Sequence, residues 1–417
     1  MKHLFIAFCA VVLLGVPWLV RTYPQSTTYI DTAFSYIHEN LAALLLGNPV
    51  TVAELQNKYK RAPRRENPVK ILLMPGHEPG YGGAEYGNLR ERELNVELAS
   101  YLEELLDKNE HYEVIVARDN EVWNPVLATY FSENWQSIIS FFESHRDAML
   151  YSLSVGAVTK PKDPIHHNSA PRDIALRLYG INKWVNENDV DIAVHIHFND
   201  YPRRNSQVEG KHTGLAIYVP ERQYQNSTTT RAVADFIFKR LLHYSAVSDL
   251  PKEEEGIIEE QELIAIGSHN TVDAASMLIE YGYIYQPELQ TPEMRELALR
   301  ELAFQTYLGL QDFFGSGNDV SFNFNTLVLP HTWNEDIKKQ ATPTRDVFAL
   351  QTALILEGLY PPAGNTKNEC PRTGKFGPCT EKALTEFQKK YSITGEHALV
   401  GEKTRSILNS RYSPQAY

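Results

Sequence analysis

The sequence predicts an α/β fold with a mixed sheet flanked by helices, followed by a small all-α module of three helices. Between residues 69 and 315, short apolar runs typical of buried strands alternate with segments of helical periodicity. This alternation favours a largely parallel or mixed sheet. Beyond residue 343 only helical periodicity remains. The chain has 417 residues, of which 43% are hydrophobic and 22% charged. It is therefore long enough for about two or three globular domains.

Composition argues against several classes of protein. The chain carries 40 Lys and Arg against 52 Asp and Glu, a formal net charge of -12, whereas broad nucleic-acid binding requires a basic surface. It contains no G-x-x-x-x-G-K-[ST] sequence, which argues against a phosphate-loop NTPase. Its three cysteines are too few for a dense disulfide framework or a cysteine-rich zinc ribbon.

The N-terminus contains an apolar run over residues 4–20, which lies between Lys2 and Arg21. Its length is close to the lower limit for a membrane span, roughly 17–25 residues, and no small-x-small cleavage site follows it. We therefore expect residues 1–21 to be an uncleaved signal anchor, with a cleaved signal peptide as the main alternative and a buried helix as a weaker one. The flanking charges are balanced and leave the orientation open. Because the sequence has no second span, everything after about residue 25 should lie on one side of the membrane.

The remaining elements follow in order. Residues 22–68 mix polar and apolar patches and end in a basic run over 58–65, which we interpret as a solvated stalk. A helix is indicated over residues 95–106, where apolar side chains recur on one face. Strands are indicated at residues 71–74, 113–118, 191–198 and 274–282.

The C-terminal part of the chain begins with a change of pattern. Residues 316–342 are turn-rich and aperiodic, and we interpret them as a linker. A helical stripe follows, and Thr380 is then a suitable N-cap for a second helix over 381–391. A third helical stretch covers 403–410. We expect residues 343–412 to form the all-α module.

Three histidines are candidates for chemistry. His77 follows the first strand in a glycine-rich loop, and strand-end loops often carry functional residues. A lone histidine there is more often structural, however. His195 and His197 are two residues apart on one strand and therefore share a face of the sheet. They are either a metal-binding pair or two buried, hydrogen-bonded imidazoles, and spacing alone does not decide between these alternatives.

Two carboxylates complete the set of candidates. Glu91 lies at the start of a helix, where a carboxylate is by default a partner of the helix dipole. Glu280 lies inside an apolar strand. Because burying an unpartnered carboxylate is costly, Glu280 should pair, bind metal or hold a raised pKa for proton transfer. Two histidines and one glutamate would leave a tetrahedral zinc with one open position for water, and a second glutamate would serve as the proton carrier.

Four motifs occur in register across residues 69–314: Pro75-Gly76-His77, Glu91-Arg92-Glu93-Leu94-Asn95-Val96, Ile196-His197-Phe198-Asn199 and Leu278-Ile279-Glu280-Tyr281-Gly282-Tyr283-Ile284. In this order they resemble the zinc-dependent N-acetylmuramoyl-L-alanine amidases of bacterial cell-wall remodelling. Arg118 and the Arg177–Asn182 stretch also fit the resemblance. So does Gly214–Tyr218, which looks like the family's edge strand.

The resemblance implies roles for individual residues. It implies His77, Glu91 and His197 as zinc ligands, with zinc as the cofactor, and Glu280 as the catalytic carboxylate. It also selects Glu91 over Glu93, which spacing alone does not do.

The chain departs from the family's pattern at three places. His195 stands where the family usually has a small polar residue, so we expect it to lie beside the ligands or face the substrate without binding metal. The loop after His77 is longer than usual and has Glu85 where an aspartate is common. A long insertion covers residues 119–171. We interpret it as a peripheral decoration, with a cover beside the site as the alternative.

Residues 343–412 resemble a second family, the three-helix peptidoglycan-binding domain. The matching residues are Leu350-Gln351, Ala353-Leu354, the stretch Gly374–Gln388, Thr394-Gly395 and Val400-Gly401. Both resemblances imply the same polymer as partner. They place residues 69–315 outside the cytoplasmic membrane, in the cell wall, with the N-terminus inside.

Together these observations predict a membrane-anchored zinc amidase that hydrolyses the bond between N-acetylmuramic acid and L-alanine. One alternative is a non-catalytic peptidoglycan-binding protein that keeps the fold as a scaffold. Another is a different metallohydrolase built on the pair His195 and His197, as in barrel amidohydrolases. Those enzymes place their H-x-H on the first strand, whereas this pair lies in the middle of the chain.

The two cysteines of the C-terminal module are expected to form a disulfide. Cys370 and Cys379 flank a turn-forming run, whereas Cys9 lies far away in the apolar N-terminal segment. An exported domain resides where disulfides persist. The alternative is a pair of reduced, partly buried thiols.

Overall fold

A computed structural model of the chain describes residues 49–62, 67–160, 170–200, 204–266, 273–316 and 324–414. The predicted signal anchor over residues 1–21 and most of the predicted stalk lie outside these ranges. In the described parts of the chain, none of the helices is both long enough and apolar enough to span a bilayer.

A six-stranded sheet forms the centre of the molecule, with the strand order β4-β1-β5-β8-β6-β7. β4, β1, β5 and β8 are parallel to one another, β6 is antiparallel to β8, and β7 is parallel to β6. The sheet is therefore mixed, as predicted, and the four predicted strands correspond to β1, β4, β5 and β8. In chain order the strands are β1 (Val69–Pro75), β2 (Glu85–Tyr86), β3 (Leu89–Arg90), β4 (Tyr112–Val116), β5 (Ile192–Asn199), β6 (Ala216–Pro220), β7 (Ile257–Glu260) and β8 (Ala275–Tyr283).

β6 is not an edge strand, so the expectation for Gly214–Tyr218 is wrong. β7 pairs along its outer side, with Ile217 opposite Ile257 and Pro220 opposite Glu260. Every residue of β6 is buried. The short apolar start of β7, Ile257-Ile258, supplies this extra strand.

Helices cover both faces of the sheet. Successive residues of a strand point to opposite sides, so each strand contributes side chains to both faces. Ile71 and Leu73 contribute to the larger core, which α1, α2, α5 and α6 complete. Leu72 and Met74 point to the other face, which α3 and α4 cover. In chain order the helices are α1 (Val52–Arg61), α2 (Glu91–Leu106), α3 (Pro125–Ser154), α4 (Arg172–Glu187), α5 (Ser227–Leu241), α6 (Pro292–Phe314), α7 (Arg345–Leu356), α8 (Pro378–Lys390) and α9 (Glu402–Tyr412).

Helix α1 lies within the range assigned to the stalk, yet it packs on the α/β part of the chain. Thr51 and Glu54 form a capping box at its start, which satisfies backbone N–H groups that the helix leaves unpaired. Tyr59 is buried and stacks on the Phe314 ring at a centroid distance of 4.3 Å. Lys58 pairs with Asp191 at an Nζ–Oδ2 distance of 2.5 Å.

The described part of the insertion contributes Leu127, Phe131 and Ile138 to the core, which argues against its interpretation as a peripheral decoration. Its helix α3 crosses α4 at Gly180, where an added Cβ would lie 2.8 Å from the Ile138 side chain. The absence of a side chain at Gly180 therefore permits this close approach. At the far end, Met149 and Val158 pack with Tyr224 in a small separate cluster.

A second core lies in the C-terminal part of the chain, where α7, α8 and α9 pack together. Residues 324–341, which the sequence analysis assigns to the linker, contribute Trp333 and Ile337 to this core. Cys370 and Cys379 form the predicted disulfide, with their Cα atoms 5.8 Å apart.

Thr380 does not cap α8, so that prediction is wrong. The helix begins at Pro378, with Gly377 as its N-cap, since proline is suited to the first helical position. Thr380 is instead a buried residue of the first turn. Its hydroxyl accepts a hydrogen bond of 2.9 Å from Gln351.

The loop between α7 and α8 contacts the α/β part of the chain near the end of α5. The Arg372 guanidinium lies between the rings of Tyr244 and Phe348, at 4.4 Å and 4.3 Å from their centroids. The Lys367 ammonium donates to the carbonyl oxygens of Leu242 and His243. A cation at a helix C-terminus satisfies free carbonyls and opposes the negative end of the dipole.

Candidate metal centre

Three of the candidate residues meet at the carboxyl ends of β1 and β5. His77 follows β1, His197 lies near the end of β5, and Glu91 is the first residue of α2. Their potential ligand atoms all lie within 4.8 Å of one another. The fold therefore brings together residues that are up to 120 positions apart (77 to 197) in the sequence.

The loop after β1 needs an unusual backbone to place His77. His77 has a φ of 71°, in the left-handed region, which L residues rarely adopt and which recurs at functional sites. A Cβ at Gly76 would lie 2.2 Å from the His197 ring. Only glycine therefore allows the loop to pass so close to the second histidine.

Glu91 connects the two histidines through one oxygen. Its Oε1 lies 2.8 Å from His77 Nε2 and 3.0 Å from His197 Nδ1, and its Oε2 accepts a hydrogen bond of 2.8 Å from the Ala84 amide. Burial alone would raise the pKa of Glu91. The two neighbouring imidazoles outweigh this effect and hold that pKa well below its usual range.

The donor set fits a divalent metal ion. His77 Nε2 is buried and makes no hydrogen bond of acceptable geometry with any described residue, although it faces a carboxylate oxygen. Burial lowers the pKa of His197, which favours the neutral imidazole that binds metal. Two imidazole nitrogens and one carboxylate oxygen form one of the ligand sets that catalytic zinc sites use, and such sites leave one position open.

Arg118 holds the loop that carries His77. The resemblance includes this residue without assigning it a role. The Arg118 Nε donates to the carbonyl oxygens of Pro75 and His77 at 3.0 and 2.8 Å, and its Nη2 donates to those of Gly76 and Arg92. Burial lowers the pKa of Arg118 to about 10. Since these acceptors are backbone atoms, no sequence motif reveals the contact.

Glu280 lies beside the cluster on β8, in register with His197. Its Oε2 is buried and has no hydrogen-bond partner among the described residues. Burial, followed by the charges of Glu91 and Glu253, raises the pKa of Glu280 well above its usual value. A carboxyl group in this environment is suited to holding and passing on a proton.

Glu253 is a buried residue that the sequence analysis missed. It accepts hydrogen bonds from Asn199 Nδ2 at 3.0 Å, from the Tyr218 hydroxyl at 2.6 Å and from the Ser248 hydroxyl at 2.5 Å. It belongs to a run of three glutamates, Glu253–Glu255, and such runs are usually solvated. The sequence contains no indication that one member of the run is buried.

His195 shares the face of β5 with His197 but is not part of the three-residue cluster. It is buried, and burial followed by the charge of His197 lowers the pKa of His195 to about 3. His195 therefore stays neutral at physiological pH. Within the described residues, no group of three or more potential metal ligands includes His195.

Comparison with known proteins gives one family. The family model described as N-acetylmuramoyl-L-alanine amidase matches residues 71–306. No curated protein matches the chain significantly.

Three solved structures are similar at low identity. The CwlD amidase from Clostridioides difficile, solved in complex with the GerS lipoprotein, has 15% identity and a TM-score of 0.38, and the match covers 59% of this chain and 98% of that one. The amidase AmiC2 of Nostoc punctiforme has 13% identity and a TM-score of 0.35, and the match covers 59% of this chain and 97% of that one. The amidase Ami1 from Mycobacterium smegmatis has 12% identity and a TM-score of 0.37, and the match covers 60% of this chain and 97% of that one.

Proposed function

Because the chain belongs to the N-acetylmuramoyl-L-alanine amidase family, we propose that it cleaves the amide between N-acetylmuramic acid and L-alanine as a zinc hydrolase. The family makes the chain an enzyme of peptidoglycan hydrolysis. The proposal adds the metal and the roles of the residues. The observation that carries it is the cluster of His77, Glu91 and His197, next to Glu280, whose buried Oε2 has no hydrogen-bond partner among the described residues.

Each residue of the site has a separate task in this mechanism. His77, Glu91 and His197 would hold zinc, which when bound lowers the pKa of water and polarises the scissile carbonyl. Arg118 fixes the backbone that positions His77. Glu280, whose Oε2 has no hydrogen-bond partner among the described residues, would take the proton of the attacking water and deliver it to the leaving nitrogen of L-alanine.

Two further parts of the proposal concern location. Residues 343–412 would bind peptidoglycan and keep the enzyme on its polymer, supported by the sequence resemblance and by the three packed helices of this region. Residues 1–21 would anchor the chain in the cytoplasmic membrane, supported by their apolar sequence. Peptidoglycan lies outside that membrane, so the catalytic part would face the cell wall.

Digestion of purified peptidoglycan with the zinc-loaded protein tests this function. We expect new L-alanine amino termini to appear while the glycan strands remain uncut. Mass spectrometry of the soluble products distinguishes this result from glycan cleavage. Release of shortened glycan strands, or no release of peptides by a fully zinc-loaded protein, would contradict the proposal.

A further inference from the structure

A groove lies next to the loop that carries His77. Glu78 and Pro79, which follow His77 in the chain, form one wall, and Trp123, Trp135 and Arg177 contribute to the rest. The groove has a volume of about 810 Å³ and is widely open to solvent. Ligand clefts in proteins typically measure about 300–1,000 Å³. The groove is therefore large enough for part of a substrate.

Aromatic and small residues shape its surface. Trp135 is partly exposed on α3, and the exposed Ala128 and Ser132 of the same helix lie next to it in the groove. Trp123 is partly exposed and packs edge-on against Phe131, with ring centroids 5.4 Å apart. Two indole rings that border one open groove are an apolar surface of the kind that marks a binding site.

The groove and the metal centre share one rigid frame. Arg118 holds the backbone of the His77 loop and also forms a β-bridge with Trp123. The turn between Arg118 and Trp123 is closed by Asp119, whose Oδ1 accepts hydrogen bonds of 2.7 Å from the amides of Glu121 and Val122. Trp123 is therefore positioned relative to the candidate metal ligands before any substrate binds.

Polar groups of Glu78 and Arg177 complete the lining of the groove. Arg177 Nε lies 3.0 Å from both carboxylate oxygens of Glu78. A carboxylate and a guanidinium together offer acceptors and donors to a ligand that carries many hydroxyl groups. The indole rings offer flat apolar faces to the same ligand.

On the basis of the proposed function, we propose that this groove binds a sugar ring of the glycan strand next to the muramic acid whose amide is cleaved. A pyranose ring has an apolar face of C–H groups and a rim of hydroxyl groups, which matches indole faces beside a carboxylate and a guanidinium. The substrate is a polymer, so its glycan must continue past the cleaved unit. The groove begins one residue after a candidate metal ligand and provides a place for that continuation.

Kinetics on two soluble substrates test the proposal in the zinc-loaded full chain. One substrate is a peptide-bearing glycan of four or more sugars, and the other is a single N-acetylmuramoyl-peptide. Trp135→Ala should raise KM for the longer substrate by about five- to tenfold, the range expected for loss of one aromatic stacking contact. KM for the single-sugar substrate should change less than about twofold, within the noise of a surface substitution.

Tyr151→Ala is the matched control, since Tyr151 is an exposed aromatic residue on the same helix outside the groove. Ser132→Glu provides a second variant that does not touch the core. A carboxylate beneath a sugar ring would lose hydration, which is costly. Ser144→Glu is its control, because both serines are exposed on α3 and donate to the carbonyl three residues earlier. Of the two serine variants, only Ser132→Glu should raise KM for the longer substrate, as Trp135→Ala does.

Three results would overturn the proposal. The first is an unchanged KM for the longer substrate in both groove variants. The second is an equal increase of KM for the two substrates. The third is inhibition of the wild type by free stem peptide that is lost in the groove variants. That result would place the peptide, and not a sugar ring, in the groove.

If the wild-type protein cleaves neither substrate, the proposed function fails. The groove proposal is then tested by the binding of glycan strands alone. Peptide-free glycan strands should then quench tryptophan fluorescence of the wild type more strongly than that of Ser132→Glu. Equal quenching in the two proteins would overturn the inference.

Discussion

Glu91 places one carboxylate oxygen within 3.0 Å of two imidazole nitrogens, so a single substitution should disrupt the whole metal centre. We expect Glu91→Gln to bind zinc at least about tenfold more weakly, because an amide oxygen carries no negative charge to attract the ion. Metal analysis after dialysis against zinc buffers measures this. Glu93→Gln is the matched control in the same helical turn, where Glu93 pairs with the exposed Arg90. Equal zinc retention in both variants would contradict the ligand assignment.

Glu280 is expected to serve the chemistry without holding the metal. Glu280→Gln should keep zinc and lose activity by about 10²–10⁴-fold, the usual cost of removing a general acid or base. The comparison of zinc content with turnover of a muramoyl-peptide checks this. Near-normal turnover in the zinc-loaded variant would exclude the role.

At the scale of single residues, the sequence indicates the candidate metal and proton-transfer residues but not the buried residues packed around them. His77, Glu91, His197 and Glu280 occur in short motifs, because metal binding and proton transfer restrict the residue type. Glu253 occurs in no such motif. It is buried by contacts with Asn199, Tyr218 and Ser248 that only the folded chain brings together.

At the scale of elements, Glu357 joins the three C-terminal helices. It lies at the end of α7, and its carboxylate contacts Lys390 and Tyr391 from the end of α8 and Arg411 and Tyr412 from α9. The side chain is only 2% exposed. Burial alone would raise the pKa of Glu357, but the two cations and two hydroxyl groups outweigh burial and lower that pKa to about 2.

This environment predicts a pH-dependent stability. A pKa below the unfolded value of 4.5 means that the ionised Glu357 stabilises the fold above about pH 4.5 and loses this effect as the pH falls towards about 2. Glu357→Gln should lower the free energy of unfolding at neutral pH by about 1–3 kcal/mol. Its pH dependence between about 4.5 and 2 should be weaker than that of the wild type.

Thermal unfolding of the full chain at several pH values measures both effects. Glu386→Gln is the control, because Glu386 forms an exposed pair with Lys389 on α8 and such pairs contribute little. A wild-type slope retained in Glu357→Gln would show that another group is responsible.

The elements that the sequence analysis missed or misplaced share a physical cause. β7 is only four residues long, too short for a periodic pattern. The start of α8 was misplaced because Thr380 matches a cap, although the pair Gly377-Pro378 is an equally good start. Trp333 and Ile337 are buried in an aperiodic segment, so periodicity did not identify them as core residues.

At the scale of the whole molecule, the C-terminal part should keep the enzyme on its polymer. A chain that ends at residue 323 should cosediment less with insoluble peptidoglycan and still cleave small soluble fragments, because tethering raises the local substrate concentration without altering the chemistry. The cut is placed before residue 324 because residues 324–341 belong to the second core. Equal cosedimentation of the full and shortened chains would contradict a wall-binding role.

The contact between the two parts of the molecule is testable separately. The double variant Lys367→Ala/Arg372→Ala removes the cation at the end of α5 and the guanidinium between Tyr244 and Phe348. We expect a larger radius of gyration in X-ray scattering, because the two parts then move independently. Lys382→Ala, at an exposed position of α8, should leave the radius unchanged. An unchanged radius of gyration in the double variant would show that other contacts are sufficient to hold the two parts together.

The docking of the C-terminal helices through Arg372 and Lys367 has a consequence for the pattern of cuts. A freely swinging tether would let the enzyme reach every stem peptide within a sphere around the point where it is held. If residues 343–412 bind the glycan as proposed, their docking would instead set a constant distance between the bound sugar units and the bond that is cut. Stem peptides along a glycan strand project in different directions, so only those at the right offset and rotation would meet the metal centre. The undocked variant would remove peptides evenly, whereas the native protein would leave them at regular intervals.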